Sequence, residues 1–211
     1  MVRRPFVPAH RQRSAAPRNP VEDRILAAAV RLFAERGFDG ASVQEVVDAA
    51  QVTKGALYHY FDSKVDLLFE IYHALITRQL ADFDRIVAAG LPPAETVREV
   101  VEALVRSTAT HIDEAKVFTR DKHRLDDQRM HAVRAERRRY HVAFREIIQD
   151  GQDAGVFSAE ASAETVTFIV FGMVNEMPLW YRANGPKPAA ELAAEAAAFI
   201  LAALTPRPAG G

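Results

Sequence analysis

The chain contains no cysteine. That absence excludes disulfide staples, thiolate zinc sites and cysteine nucleophiles together. There is also no run of about 18 apolar residues, so no segment reads as a membrane-spanning helix. The first residues carry arginine and proline without an apolar stretch, which does not suit a secretory signal. An excess of charge of one sign is missing too: 27 Lys and Arg stand against 28 Asp and Glu, a net −1 over 211 residues. A bulk polycation is thereby excluded, and any nucleic-acid contact must be a local patch. No stretch sustains two-residue apolar alternation between turn signals, so no sheet is predicted. What is present is a chain 49% apolar, sufficient for a real core, and expected in the cytoplasm.

The apolar spacing is helical throughout. Ile25, Ala28, Ala29, Leu32 and Phe33 follow the i, i+3, i+4, i+7 pattern and predict a first helix over about 21–36, ended by Gly37. Ser42 with Glu45 three residues on forms a capping-box signature for a second helix, whose buried side is Val43, Val46 and Val47. Gln51-Val52 is a turn. Thr53 caps a third helix anchored by Leu57 and Phe61. Ser63 caps a fourth, running to about Val87 with Leu67, Leu68, Ile71, Leu75, Leu80 and Phe83 on its apolar side. After the break at Gly90-Leu91-Pro92-Pro93, further helices are predicted at about 94–111, 114–124, 126–153, 160–183 and 188–204.

Helix, turn, helix is the order a DNA-reading unit needs, and the third helix carries a small polar and aromatic face that suits a groove. Gly55 lets backbone approach a duplex closely. Thr53 stands at a helix start, where free N–H groups favour phosphate. Lys54 and His59 can reach bases or backbone, Tyr58 and Tyr60 end in hydroxyls, and Ser42 and Gln44 extend the set from the second helix. From Arg24 to Leu75 the run resembles the DNA-binding domain of TetR-family transcriptional regulators. The resemblance implies phosphate contacts from Tyr58 and Lys64, and a homodimer on a palindromic operator. Residues 1–20 carry Arg3, Arg4, Arg11, Arg13 and Arg18 with four prolines and no acid. They read either as a flexible arm adding phosphate or minor-groove contacts or as a solvated tail without a role.

Beyond about Ile76 the chain is too long and apolar for a spacer. The segment 166–174 is apolar almost all round, and the alanine-rich stretch 192–204 has Ala196, Phe199, Ile200 and Ala203 as one stripe. Together they suit a four-helix interface across a two-fold axis, as in that family. The order of a basic-aromatic helix (residues 137–145), Gly151, Gly155-Val156-Phe157, Phe171-Gly172-Met173-Val174-Asn175 and Leu179-Trp180-Tyr181-Arg182 resembles the subgroup that senses acyl-CoA thioesters and represses fatty-acid or sterol catabolism. Glu176 stands where an aromatic is common there. The resemblance implies an acyl-CoA effector, with Arg138, Arg139, Arg145 and Arg182 for its phosphates and Trp180 or Tyr181 stacking on adenine. A solvated helix face for the arginines, an interface for the aromatics, and a multidrug or other small-metabolite effector are the alternatives. His123, Asp127 and His131 recur at i, i+4 and i+8 on one expected helix face, but three in a row span about 12 Å, too far for one ion, so the face reads as solvated. With no nucleophile–base pair, glycine-rich phosphate loop or metal triad, neither enzyme nor resident cofactor is expected.

The expected architecture is therefore all-α: a basic arm over 1–20, a three-helix DNA-binding domain over 21–65, a helical ligand-binding and dimerisation domain over 66–205, and a frayed tail over 206–211.

Overall fold

In the computed structural model the described residues run from 19 to 206. Residues 1–18 of the expected arm and 207–211 of the expected tail lie outside them. All regular structure among the described residues is helical. Helix α1 (Pro20–Gly40) starts at Asn19, whose side chain accepts the Val21 N–H at 2.9 Å, with Pro20 at the tolerant first position. Its regular part stops at Gly37, which takes φ 81°. The kink turns Phe38 back edge-on against Phe33, centroids 5.6 Å apart. Helix α2 (Val43–Ala50) begins with the expected reciprocal box: the Glu45 N–H donates to Ser42 Oγ at 3.2 Å, and the Ser42 N–H donates to Glu45 Oε2 at 2.7 Å. Those bonds from Ser42, backbone first, hold the Glu45 carboxyl below its usual range. Helix α3 (Lys54–Tyr60) and helix α4 (Lys64–Ala88) are capped by Thr53 and Ser63, each accepting a backbone N–H at 3.1 Å.

The remaining helices are α5 (Pro93–Thr110), α6 (Ile112–Asp121), α7 (Asp127–Asp153), α8 (Ala163–Trp180) and α9 (Ala189–Leu204). Helix α9 lies along α5, α7 packs on α8, and α4 meets α1, α5, α6 and α7. One continuous apolar cluster extends from Ile25 to Leu204. Helix α4 therefore belongs to the core under the N-terminal helices and to the core of the C-terminal bundle.

Two sequence expectations change here. The helix expected over 114–124 spans Ile112–Asp121, then tightens into a 3-10 turn at Lys122–Arg124. Asp126 starts α7 afresh by accepting the Arg129 N–H at 2.8 Å. His123 and Asp127 consequently belong to different elements, and the single helix face expected for His123, Asp127 and His131 does not exist. The helix expected over 160–183 is shorter, because Ser162 caps it and the backbone becomes extended at Tyr181.

The turn after α7 depends on the absence of a side chain. Gly151 is buried, and an added Cβ would lie 2.1 Å from Phe157 Cδ2, while its carbonyl accepts the Val156 and Phe157 N–H groups. Gly151→Ala is expected to cost about 1–3 kcal/mol through overpacking. The urea midpoint measures it, and an unchanged midpoint would show that Phe157 moves aside freely.

Candidate DNA-reading face and effector cavity

The face of α2 and α3 that sequence reasoning marked for DNA lies together and outward. Ser42, Gln44, Thr53, Lys54, Gly55, Tyr58 and His59 are all exposed, whereas Leu57 on the opposite side is fully buried. Gln44 Nε2 donates to Asp48 at 2.8 Å, and the His59 ring meets Tyr60 edge-on. An added Cβ at Gly55 would meet nothing nearer than Thr53 Oγ1 at 3.9 Å, so internal packing does not explain this glycine. Lys64 sits differently. Its ammonium lies 4.2 Å from the Phe38 centroid and 5.8 Å from that of Phe33, and burial pulls its pKa below the ordinary value despite nearby Asp39 and Asp121.

A cavity of about 540 Å³ opens inside the C-terminal bundle. Helix α4 contributes Tyr72, Leu75, Ile76 and Gln79, α6 contributes Phe118 and Thr119, and α8 contributes Phe171, Val174 and Asn175. Helix α7 runs along it with Met130, Val133, Arg134, Arg137, Tyr140 and His141. Lys122, His123 and Arg134 are exposed, Arg137 and His141 half-buried, and Tyr140 and Phe171 buried. The exposed part of the wall carries these cations together with the carboxylate of Glu176, and the buried part is aromatic. Burial raises the Tyr72 phenol's pKa, and the neighbouring Arg137 opposes that rise. Tyr72 also stacks on Phe118, centroids 3.6 Å apart.

None of the six residues expected to hold the effector lines this cavity. Arg139 binds Asp84 at 2.7 Å, Arg182 donates to the Leu179 and Tyr181 carbonyls, and Arg145 borders a separate surface groove between α7 and the start of α8. Arg138 is exposed and Tyr181 buried. Trp180 is 49% exposed and joins Phe168 (60%), Ile169 (53%), Leu179 (65%) and Phe199 (71%), all on α8 and α9. The cavity residues missed by sequence reading had a detectable signal. Met130, Arg134, Arg137 and His141 recur at helical spacing, placing cations within an otherwise inward-facing stripe of α7.

The segment from Phe118 to Arg134 alternates between two duties. Phe118, Thr119, Lys122, His123, Met130, Val133 and Arg134 line the cavity. Between them, Arg120 donates to the Phe33 and Ala34 carbonyls at the end of α1, Arg124 pairs with Asp39, and Arg129 pairs with the buried Asp66 at 3.0 Å. Asp66 lies in the first turn of α4 and also accepts the Asp62 N–H at 3.2 Å. Three arginines therefore fix one cavity wall to the N-terminal helices.

Residues 25–71 match the bacterial regulatory proteins of the tetR family, and residues 90–204 match the tetracyclin repressor-like C-terminal domain. The chain belongs to the TetR family. It is a transcriptional repressor of the TetR type, and members of this family are DNA-binding regulators, not enzymes. It is 30% identical over 169 residues to the HTH-type transcriptional repressor KstR2 of Rhodococcus jostii, covering 76% of this chain and 79% of that protein. The TetR-family regulator PfmR of Thermus thermophilus is also 30% identical, with a TM-score of 0.79 over 87% of this chain and all of that one. AibR, solved with isovaleryl coenzyme A and operator DNA, shares the fold at a TM-score of 0.73 and 21% identity, covering 86% of this chain and 97% of its own. The described helices include none long and apolar enough to cross a membrane.

Proposed function

We propose that the protein binds a palindromic operator as a homodimer and is released from it by an acyl thioester of coenzyme A. The observation that carries this reading is the cavity: it is apolar inside, Lys122, Arg134 and Arg137 outweigh the one carboxylate, Glu176, in its lining, and it is walled by the same α4 that begins beneath the proposed DNA-reading helices. The acyl group would occupy the apolar interior, while Lys122, Arg134 and Arg137 hold anionic groups, a role expected from sequence for Arg138, Arg139, Arg145 and Arg182. Filling the cavity would shift α4 and change the spacing of two recognition helices that must meet both half-sites at once. The KstR2 relative is a repressor and AibR was solved with a coenzyme A thioester, which favours the same class of effector.

The test is fluorescence anisotropy on DNA from the protein's own promoter, at fixed salt, with acyl-CoA thioesters and the matching free acids. Release by a thioester but not its acid is expected. Arg134→Ala and Arg137→Ala should raise the thioester concentration needed by about tenfold or more, the weight of one charge-assisted contact, without changing effector-free operator affinity. Operator binding unmoved by every thioester would sink the coenzyme A assignment. A response that ignores both arginines would point instead to a multidrug-type pocket.

A further inference from the structure

The three N-terminal helices are poor in the charge that a DNA duplex demands. Residues 21–65 carry seven carboxylates against five Lys and Arg. Two of those cations are already engaged: Arg36 pairs with Glu45 at 2.7 Å, and the Lys64 ammonium rests 4.2 Å from the Phe38 centroid. Helices α2 and α3 together hold one lysine, Lys54, against Glu45 and Asp48. A duplex presents one negative charge per about 1.7 Å of axis, and neutralising it supplies the sequence-independent part of affinity. A net acidic reading unit cannot supply that part by itself.

The missing charge stands next to this unit in the chain. Residues 1–18, outside the described ones, hold Arg3, Arg4, Arg11, Arg13 and Arg18 and no Asp or Glu. The structure sets where that segment joins. The last turns of α1 are tied to the C-terminal bundle, because Arg120 of α6 donates to the Phe33 and Ala34 carbonyls and Arg124 pairs with Asp39. Asn19, at the other end of the helix, lies about 20 Å from Phe33 along the axis, and Asn19 and Pro20 are exposed. Helix α1 also packs on α2 and α3. The preceding chain therefore enters the reading unit at the end remote from the bundle seam. Residues 1–18 can span up to roughly 60 Å, more than one turn of duplex, so they reach past the half-site met by their own α3.

We infer that residues 1–18 bind the phosphates of the duplex flanking each half-site and supply most of the salt-dependent part of operator affinity. This rests on the operator-binding reading. Arginine suits the task, since its fork of donors matches a phosphate and its charge is permanent.

The experiment is a salt titration of effector-free operator affinity by anisotropy, on the operator with about ten flanking base pairs at each end. Three full chains are compared: the native one, one with all five arginines replaced by Gln, and one with all five replaced by Lys. If two or three arginines of each arm hold phosphates, the dimer loses about four to five units of log–log salt slope in the glutamine variant. Its affinity should fall by about tenfold or more near 0.1 M salt, with an unchanged melting temperature. The lysine variant keeps the charge and should stay within about one unit of the native slope. Trimming the flanks should bring the native slope down to that of the glutamine variant. Equal slopes in the native and glutamine chains, tighter binding by the glutamine variant, a lysine variant as weak as the glutamine one, or an advantage that survives trimming each overturns the inference while leaving the operator reading intact. If the native chain shows no preference for the operator, that reading falls. The same titration on a duplex of unrelated sequence then decides the arginine inference separately, because phosphate contacts do not depend on sequence. A shallower slope for the glutamine variant there upholds it, and an equal slope overturns it.

Discussion

Arg129→Ala should lower the melting temperature by roughly 5–10 °C and blunt effector-driven release from the operator. The guanidinium of Arg129 reaches Asp66, whose side chain is only 4% exposed, across the boundary between the cavity wall and the start of α4. Removing the cation leaves a buried carboxylate, and breaking such a pair costs about 3–5 kcal/mol; Arg129's own 28% exposure and the Asp62 N–H donor place the effect toward the lower end. Asp66→Asn in the same background removes the stranded charge, so the double variant should be less destabilised than the two single losses added together. Calorimetry reads the stability. The coupling is read as the ratio of operator affinities with and without saturating effector, at a temperature where both proteins are folded. The same Phe118–Arg134 segment lines the cavity and holds α1 and α4, so the ratio should move toward one. An unchanged ratio in a destabilised protein would show that the arginines hold the two halves together without carrying the signal.

The second large effect is expected from the exposed apolar face of α8 and α9. Phe168→Asp with Phe199→Asp should yield monomers in sedimentation experiments and weaken operator binding by about a hundredfold or more, because a lone reading unit holds only one half-site. Both side chains are at least 60% exposed, so the substitutions should leave the fold's own stability nearly unchanged. Large apolar side chains left this exposed on α8 and α9 suit the dimer interface proposed for these helices. A variant that stays dimeric would move the interface elsewhere, and a monomer with undiminished operator affinity would remove the need for a palindrome.

Much of the architecture was readable because local signals agreed. Ser42, Thr53 and Ser63 are helix caps in the sequence and in the structure, since a short hydroxyl followed by a free N–H has few other uses. The matches at residues 25–71 and 90–204 bear out the TetR resemblance. The sequence ended one helix at about 124 and began the next at about 126, but not the 3-10 turn at Lys122–Arg124, because charged residues carry little periodicity and such a turn continues an α-helix with no glycine or proline to announce it. The residues named from sequence for the effector do not line the cavity proposed to hold it. The resemblance pointed to Arg138 and Arg139 on this helix, whereas the arginines that border the cavity are Arg134, at its exposed rim, and the half-buried Arg137. Only the rotation of α7, set by Val133, Tyr140 and Phe144 in the core, decides which arginines face in.

The reading face of α3 also bears on how such a protein can be retargeted. Leu57 is the fully buried residue of that helix, while Lys54, Gly55, Tyr58 and His59 are exposed, and a side chain at Gly55 would displace nothing. The outward positions can be rewritten without disturbing the core. On the proposed operator-reading role of this face, preference for a new operator is free to drift while folding, the cavity and the arginine ties stay as they are, and one scaffold can be reassigned to a different set of genes by changes confined to a single turn-and-a-half of helix.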